Sequence, residues 1–192
     1  MNLCWRFGTI LSACMFFFGC EEGESKPTEA EATAGSNEVR AFIGKNGGTL
    51  LFSDTGAKFE ISPAVLQERV NISFKREDPS LALSGKDFVG KAYRISPRLN
   101  FNPNAAMLYV PVDKKLPGAP DEINLRLFYY DKVESEGPAG RTIFRTWVPH
   151  PATEFVGFRQ NQKLIVFKIH ETISERTMSS PYGLLQAAFD FE

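Results

Sequence analysis

Cysteine and histidine are both scarce in this chain of 192 residues. The three cysteines, Cys4, Cys14 and Cys20, all lie within the first twenty residues. If the chain is cut before Cys20, the mature domain keeps one cysteine and has no internal disulfide. Two histidines are too few for a histidine-rich metal site, and the carboxylates lack the Asp-x-Asp spacing typical of calcium loops. The sequence therefore predicts a domain without metal or cofactor, stabilised by its core.

Net charge is −1, and lysine and arginine are scattered along the chain. A nucleic-acid-binding protein would cluster its cations and intersperse them with aromatic residues, so no nucleic-acid partner is expected. The charges are unevenly distributed along the chain, because residues 20–38 contain six acids and one base. From Val39 onwards the chain is mildly basic, with a net charge of +3.

The N-terminal segment has the pattern of an export signal. Met1–Arg6 is short and positively charged, and Phe7–Gly19 is an apolar run of 13 residues, interrupted by Thr9 and Ser12. A membrane-spanning helix needs about 20 apolar residues, so residues 1–19 are predicted to be a secretory signal peptide.

The sequence Phe17-Phe18-Gly19-Cys20 resembles the lipobox of bacterial lipoproteins, although Phe17 stands where that family usually has leucine. The resemblance implies that Cys20 becomes the mature N-terminus and carries palmitate and related acyl chains, which anchor the protein to a membrane of the cell envelope. Glu21, rather than aspartate, favours the outer membrane in Gram-negative lipoproteins of this kind. The alternatives are an ordinary signal peptide with an incidental cysteine, or an uncleaved anchor.

Residues 20–38 contain no large apolar side chain after Cys20. A segment of this composition does not bury enough surface to offset the entropy of ordering. We therefore predict a lipid-anchored, disordered acidic tether over 20–38, which spaces the following domain from the bilayer.

Residues 39–192 alternate apolar and polar side chains with period two. Ala57, Phe59 and Ile61 alternate with Lys58 and Glu60, and similar patterns cover Val70–Phe74 and Ile123–Leu127. Phe155–Arg159 and Lys163–Ile169 flank a short polar turn and predict a hairpin. Short strands separated by turns every 8–12 residues are typical of an all-β, antiparallel β-sandwich. Pro111 predicts an edge strand, since proline donates no hydrogen bond to a ladder.

The order of the turns resembles the ZU-type domain, a β-sandwich module of zonula occludens proteins, netrin receptors and ankyrins. Gly47-Gly48-Thr49 opens a strand, Phe59–Leu66 and Ile95-Ser96-Pro97 follow, and Val110-Pro111-Val112 comes later. The similarity covers about residues 44–130, and Ala64-Val65 departs from the family's usual Gly-Ala. The resemblance implies an interaction module, and we expect a non-enzymatic binding or structural role with a protein or glycan partner.

Aromatic residues are the candidates for a binding surface. Tyr129, Tyr130, Trp147 and Tyr182 lie on predicted strands and bring large contact area at low entropy cost. The alternative is that these side chains pack in the core or cover a sheet face.

The second hypothesis is an envelope hydrolase with its site on the sandwich loops. His170-Glu171 offers a base and an orienting acid, and Glu77-Asp78 offers adjacent carboxylates.

His150, between two prolines, is expected to be a solvated loop residue. Some ZU-type domains cut their own backbone at His-Phe-Ser, but Glu171 replaces the phenylalanine in His170-Glu171-Thr172, so we expect this chain to stay intact.

Overall fold

The computed structural model describes residues 26–77, 87–101, 103–112, 125–138, 140–159, 163–172 and 185–189. Twelve strands and no helix occur within these residues. In chain order they are β1 (Thr28–Glu31), β2 (Glu38–Ile43), β3 (Gly48–Phe52), β4 (Ala57–Ile61), β5 (Val70–Glu77), β6 (Asp87–Ser96), β7 (Ala106–Pro111), β8 (Leu125–Gly137), β9 (Gly140–Pro149), β10 (Thr153–Arg159), β11 (Leu164–Ile169) and β12 (Leu185–Phe189).

The strands form two six-stranded sheets that pack face to face. The first sheet has the order β1-β3-β4-β7-β11-β10 and the second has the order β2-β5-β6-β12-β8-β9. Every neighbouring pair is antiparallel except β1 and β3, which run parallel. The predicted all-β sandwich is confirmed, with that one parallel pair as the departure.

The period-two patterns decide which side chains enter the core. In β4, Ala57, Phe59 and Ile61 are buried, while Lys58 and Glu60 face outward and are half-buried. Phe59 of the first sheet meets Phe74 of the second with ring centroids 6.1 Å apart, and Phe52 lies 5.2 Å from the same ring. Fully burying one such side chain contributes about 2–3 kcal/mol, so these phenylalanines are a main source of stability.

The predicted hairpin is confirmed, because β10 and β11 pair from Thr153 opposite Ile169 to Arg159 opposite Leu164. The prediction of an edge strand at Pro111 is wrong, since β7 lies between β4 and β11. Proline is tolerated there because Pro111 is the last residue of β7, and the pairing of β7 with β4 ends at Tyr109.

The prediction of a disordered tether over 20–38 is wrong for its second half. β1 pairs with β3, Ala32 N donates to Leu51 O at 2.9 Å, and Glu38 begins β2. Backbone hydrogen bonds do not depend on large side chains, and Ala30 and Ala32 are small enough to pack against the core. The sandwich therefore begins at Thr28 rather than at Val39.

The signal segment 1–19 and the first six residues of the tether, 20–25, lie outside the described residues. In the part of the chain that the structure describes, no helix has the length and apolar character needed to cross a membrane.

Candidate functional site

Tyr129, Tyr130 and Trp147, three of the four aromatic residues predicted to form a binding surface, are not exposed. Tyr130 and Trp147 are 7% and 4% exposed, and Tyr129 is half-buried on the opposite face of the same sheet. Tyr182 lies outside the described residues. The structure therefore does not gather Tyr129, Tyr130 and Trp147 into an accessible binding surface, and the alternative, that these side chains pack against others, is the one observed.

Tyr130 and Trp147 belong to a second apolar cluster on the outer face of the second sheet. The two residues are directly opposite each other on β8 and β9, and their rings meet edge to face at 5.5 Å. Phe88 of β6 lies 4.9 Å from the Trp147 ring, and Ala92 and Phe128 complete the cluster. Because successive strand residues point to opposite faces, Tyr129 turns to the inner core instead.

His150 is buried, which contradicts the expectation of a solvated loop residue. It is 5% exposed, Tyr129 packs edge-on at 5.5 Å, and its Nδ1 accepts a hydrogen bond of 3.2 Å from Ala152 N. Nε2 is also buried and has no hydrogen-bond partner among the described residues. Burial lowers the pKa of His150 to about 4, although the Glu171 carboxylate acts in the opposite direction. The imidazole is therefore neutral at neutral pH.

The segment His170-Glu171-Thr172 is tied into the fold. Thr172 is fully buried, and its hydroxyl donates to Pro97 O at 3.1 Å and accepts from Leu99 N at 2.7 Å. Glu171 forms an ion pair with Arg98, and the Nδ1 of His170 lies 2.8 Å from Asn104 O. The only hydroxyl of this segment is thus engaged on both its donor and its acceptor side.

The candidate acid Glu77 also has a structural role. Its carboxylate lies 3.0 Å from Arg94 Nε and 3.1 Å from Lys75 Nζ. Burial raises the pKa of Glu77, but the hydrogen bonds from Arg94 and Lys75 outweigh burial and hold that pKa below its ordinary value. A low pKa suits an ion pair rather than a general acid at neutral pH. Asp78 lies outside the described residues, in which no group of three or more His, Cys, Asp or Glu side chains is placed to hold a metal ion.

A shallow depression surrounds Tyr109 on the outer face of the first sheet. Lys58 Nζ lies 4.0 Å from the centre of the Tyr109 ring, and Lys58 also pairs with Glu60 at 2.6 Å. Arg159 approaches the same ring at 5.9 Å. One face of the tyrosine is thus already covered by a cation, which reduces its value as a platform for a sugar ring.

A different corner of the sandwich carries accessible, uncompensated charge. Lys26, Lys45 and Arg69 line an open depression of about 510 Å³ together with Phe42. Phe42 is 52% exposed, and the Arg69 guanidinium lies 5.0 Å from the centre of its ring. Within the described residues none of the three cations forms an ion pair, in contrast to Lys58, Lys75 and Lys168. We call Lys26, Phe42, Lys45 and Arg69 the cationic corner.

Backbone geometry builds this corner. The chain turns sharply between β2 and β3, where Gly47 N donates to Gly44 O at 2.9 Å, and Thr28 N donates to Gly47 O at 3.2 Å. Gly47 has a positive φ of 71°, and a Cβ at this position would lie 2.3 Å from Ile61 O. Thr28 Oγ1 donates to Phe42 O and joins the two edge strands β1 and β2.

The sequence did not reveal the cationic corner, because its residues come from three separate parts of the chain. Lys26 precedes β1, Phe42 and Lys45 flank the end of β2, and Arg69 immediately precedes β5. The one available signal was Phe42, a large apolar residue that breaks the alternation in β2 by standing on its polar face between Ala41 and Ile43.

A scan against protein-family models and a search of curated proteins both found no match to this chain. The ZU-type resemblance therefore stays a prediction that rests on the quoted turn residues.

Proposed function

We propose that this chain is an envelope lipoprotein, anchored through acyl chains on Cys20, whose β-sandwich is a non-enzymatic binding or structural module. The short apolar run that ends in Gly19-Cys20 is the observation that carries the anchoring. The sandwich begins at Thr28, eight residues after Cys20, so the anchored domain lies close to the bilayer.

The use of polar side chains inside the sandwich supports a non-enzymatic role. Thr172, Glu77 and His150 are the described groups with the burial or pairing expected of a reactive site, and each has structural partners. Three accessible cations that form no ion pair with the described residues instead line the cationic corner, which is open and shallow. Such a surface suits recognition of a larger partner better than enclosure of a small substrate.

Metabolic labelling with a radioactive fatty acid tests the anchoring. We expect label on the wild-type protein and none on Cys20→Ser, because acylation requires the thiol of the residue that becomes the mature N-terminus. Cys14→Ser is the matched control and should keep its label, since Cys14 lies within the segment that is removed. Equal labelling of wild type and Cys20→Ser would show that the anchor is not at Cys20.

The alternative of an envelope hydrolase draws on one observation, the orientation of the His170 ring. A carbonyl oxygen only accepts, so a hydrogen bond between Nδ1 and Asn104 O makes Nε2 the acceptor nitrogen, as in a general base. We expect the purified protein to release no product from ester, amide or glycoside substrates. Hydrolysis that His170→Ala abolishes while the fold is retained would replace the proposed function by this one.

A further inference from the structure

The cationic corner has a composition that suits a phospholipid surface. Lys26, Lys45 and Arg69 present three positive charges with no carboxylate partner among the described residues, and Phe42 stands between them with half of its surface exposed. Cations that attract lipid phosphates, together with an aromatic ring that enters the interface, are the elements of peripheral membrane binding.

The corner also lies where the chain enters the sandwich. Lys26 follows Cys20 by six residues, and six fully extended residues span about 20 Å. If Cys20 is held at the bilayer, the corner stays within that distance of the headgroups even at full extension. A tethered surface of this kind needs only weak affinity, because the tether maintains a high local concentration.

We propose that the cationic corner docks on anionic phospholipid headgroups and that Phe42 inserts into the membrane interface. This inference rests on the proposed anchoring through Cys20. Docking would hold the sandwich in one orientation, with the edge strands β1 and β2 toward the bilayer and β9 and β10, the opposite edges of the two sheets, away from it.

Other partners fit the corner less well. A small anionic ligand would be enclosed rather than bound on an open surface, and an acidic protein partner would not need to be sited next to the lipid anchor. Glu21, Glu22 and Glu24 lie between Cys20 and the corner, and the same lipids repel them. Their repulsion reduces the attraction, so we expect docking to be reversible and sensitive to salt.

Tryptophan fluorescence in vesicles tests the orientation. Phe42→Trp is introduced into the acylated protein, which is then reconstituted in phosphatidylglycerol vesicles with brominated acyl chains that quench tryptophan on contact. We expect strong quenching of Trp at position 42. Val156→Trp is the matched control, because Val156 is 49% exposed and lies on β10 at the far edge of the first sheet. Its fluorescence should persist, and wild-type protein gives the background from Trp147.

Removal of the positive charges at the cationic corner is a second test of the docking proposal. Near an anionic bilayer each lysine or arginine changes partition by about fivefold, so replacing Lys26, Lys45 and Arg69 by Gln should lower the ratio of docked to undocked protein by about 100-fold and remove the quenching. The same replacement of Arg159, Lys163 and Lys168, on the β10–β11 hairpin, should leave the quenching unchanged. Phosphatidylcholine vesicles, which carry no net charge, should give little quenching in every variant.

The outcomes separate the two proposals. If the protein floats with vesicles, the anchor is supported. In that case, absent quenching at position 42, or equal quenching at positions 42 and 156, would overturn the docking proposal alone. Quenching that survives the loss of all three cations would also overturn it. Protein that does not float with either kind of vesicle would show that the anchor is wrong, and the docking inference falls with it.

Discussion

Two corners of the sandwich perform the same topological task in different ways. At the closed corner, which consists of residues 97–101, 150–153 and 170–172, the chain leaves β6, β9 and β11 for strands of the other sheet. At the cationic corner, the β2–β3 and β4–β5 connections also cross between the sheets. Backbone hydrogen bonds join the segments at both corners, for example Phe101 N to His170 O at 2.7 Å in the closed corner. The closed corner adds the buried polar side chains of Thr172 and His150, whereas the cationic corner adds a glycine turn at Gly47.

The difference shows where this fold uses polar side chains for stability and where it leaves them accessible. Thr172 and His150 of the closed corner are buried and bonded to backbone atoms, so changing them leaves buried polar groups without partners. Lys45 and Arg69 of the cationic corner are exposed and form no ion pair with any described residue. Four substitutions or conditions test this contrast.

Gly47→Ala should have the largest effect on stability, because it disturbs the backbone turn between β2 and β3 that forms part of the cationic corner. A Cβ would overlap Ile61 O, and φ is positive, so we expect a loss of about 4 kcal/mol in the free energy of unfolding. Chemical denaturation measures the loss. Gly56→Ala is the control, since φ is +78° there but the nearest atom, Leu164 Cδ2, is 3.8 Å away. It should cost about 1 kcal/mol, and equal costs at the two positions would contradict the clash.

Acid should weaken the closed corner through His150. Its folded pKa of about 4 lies below the ordinary value of 6.5, so the unfolded chain binds more protons between these pH values. Stability is therefore complete above pH 6.5 and falls as the pH drops toward 4, by roughly 3 kcal/mol in all. Denaturation midpoints across this window measure the slope.

Substitutions at the chain's two histidines test whether His150 causes this pH dependence of stability. His150→Phe should remove most of the dependence between pH 6.5 and 4, whereas His170→Gln should retain it. The ion-paired carboxylates do not account for the part of this window above pH 4.5. Glu77 has a lowered pKa, so its contribution to stability is lost only below the ordinary glutamate value of 4.5. An unchanged slope in His150→Phe would assign the effect to other groups.

Thr172→Val should cost about 2 kcal/mol, because the methyl group that replaces the hydroxyl leaves Leu99 N and Pro97 O without that partner. The change conserves shape, so the lost hydrogen bonds account for the effect. Thr172→Ser keeps the hydroxyl and should cost less. If valine is tolerated as well as serine, the hydroxyl does not hold the closed corner together.

Replacing Lys26, Lys45 and Arg69 by Gln should have the smallest effect on folding, within about 0.5 kcal/mol, because the three side chains are exposed and make no ion pairs with the described residues. Thermal unfolding of the unacylated protein measures it. A loss of 2 kcal/mol or more, on the order of the closed-corner changes, would remove the contrast between the corners.

Much of the strand pattern was predictable from local sequence. Alternation in Ala57–Ile61 and Val70–Phe74 identifies buried and outward residues correctly, because side chains on a strand point to opposite faces whatever the strand pairs with. The β10–β11 hairpin was predictable for a related reason, since a short polar turn between two apolar runs brings neighbouring segments together.

Other features depended on partners that are distant in the chain. Thr28–Glu31 carries no apolar signal for a strand, and it is ordered by the backbone of β3. His150 lies between two prolines as a solvated loop residue would, yet it is buried, with Tyr129 packed against its ring and Glu171 near enough to influence its pKa. Pro111 is tolerated on an interior strand, because the pairing of β7 with β4 ends at Tyr109, before the proline is reached.

Alternation and turn residues were thus sufficient for the all-β class, because they act within a few residues of the chain. The sheet order, the burial of His150 and Thr172, and the meeting of Lys26, Phe42, Lys45 and Arg69 at one corner all required the fold. Each of these arises where edge strands and connections from different parts of the chain come together. Charge and burial at such points depend on neighbours up to 75 residues away, such as Pro97 beside Thr172, and no local pattern encodes them.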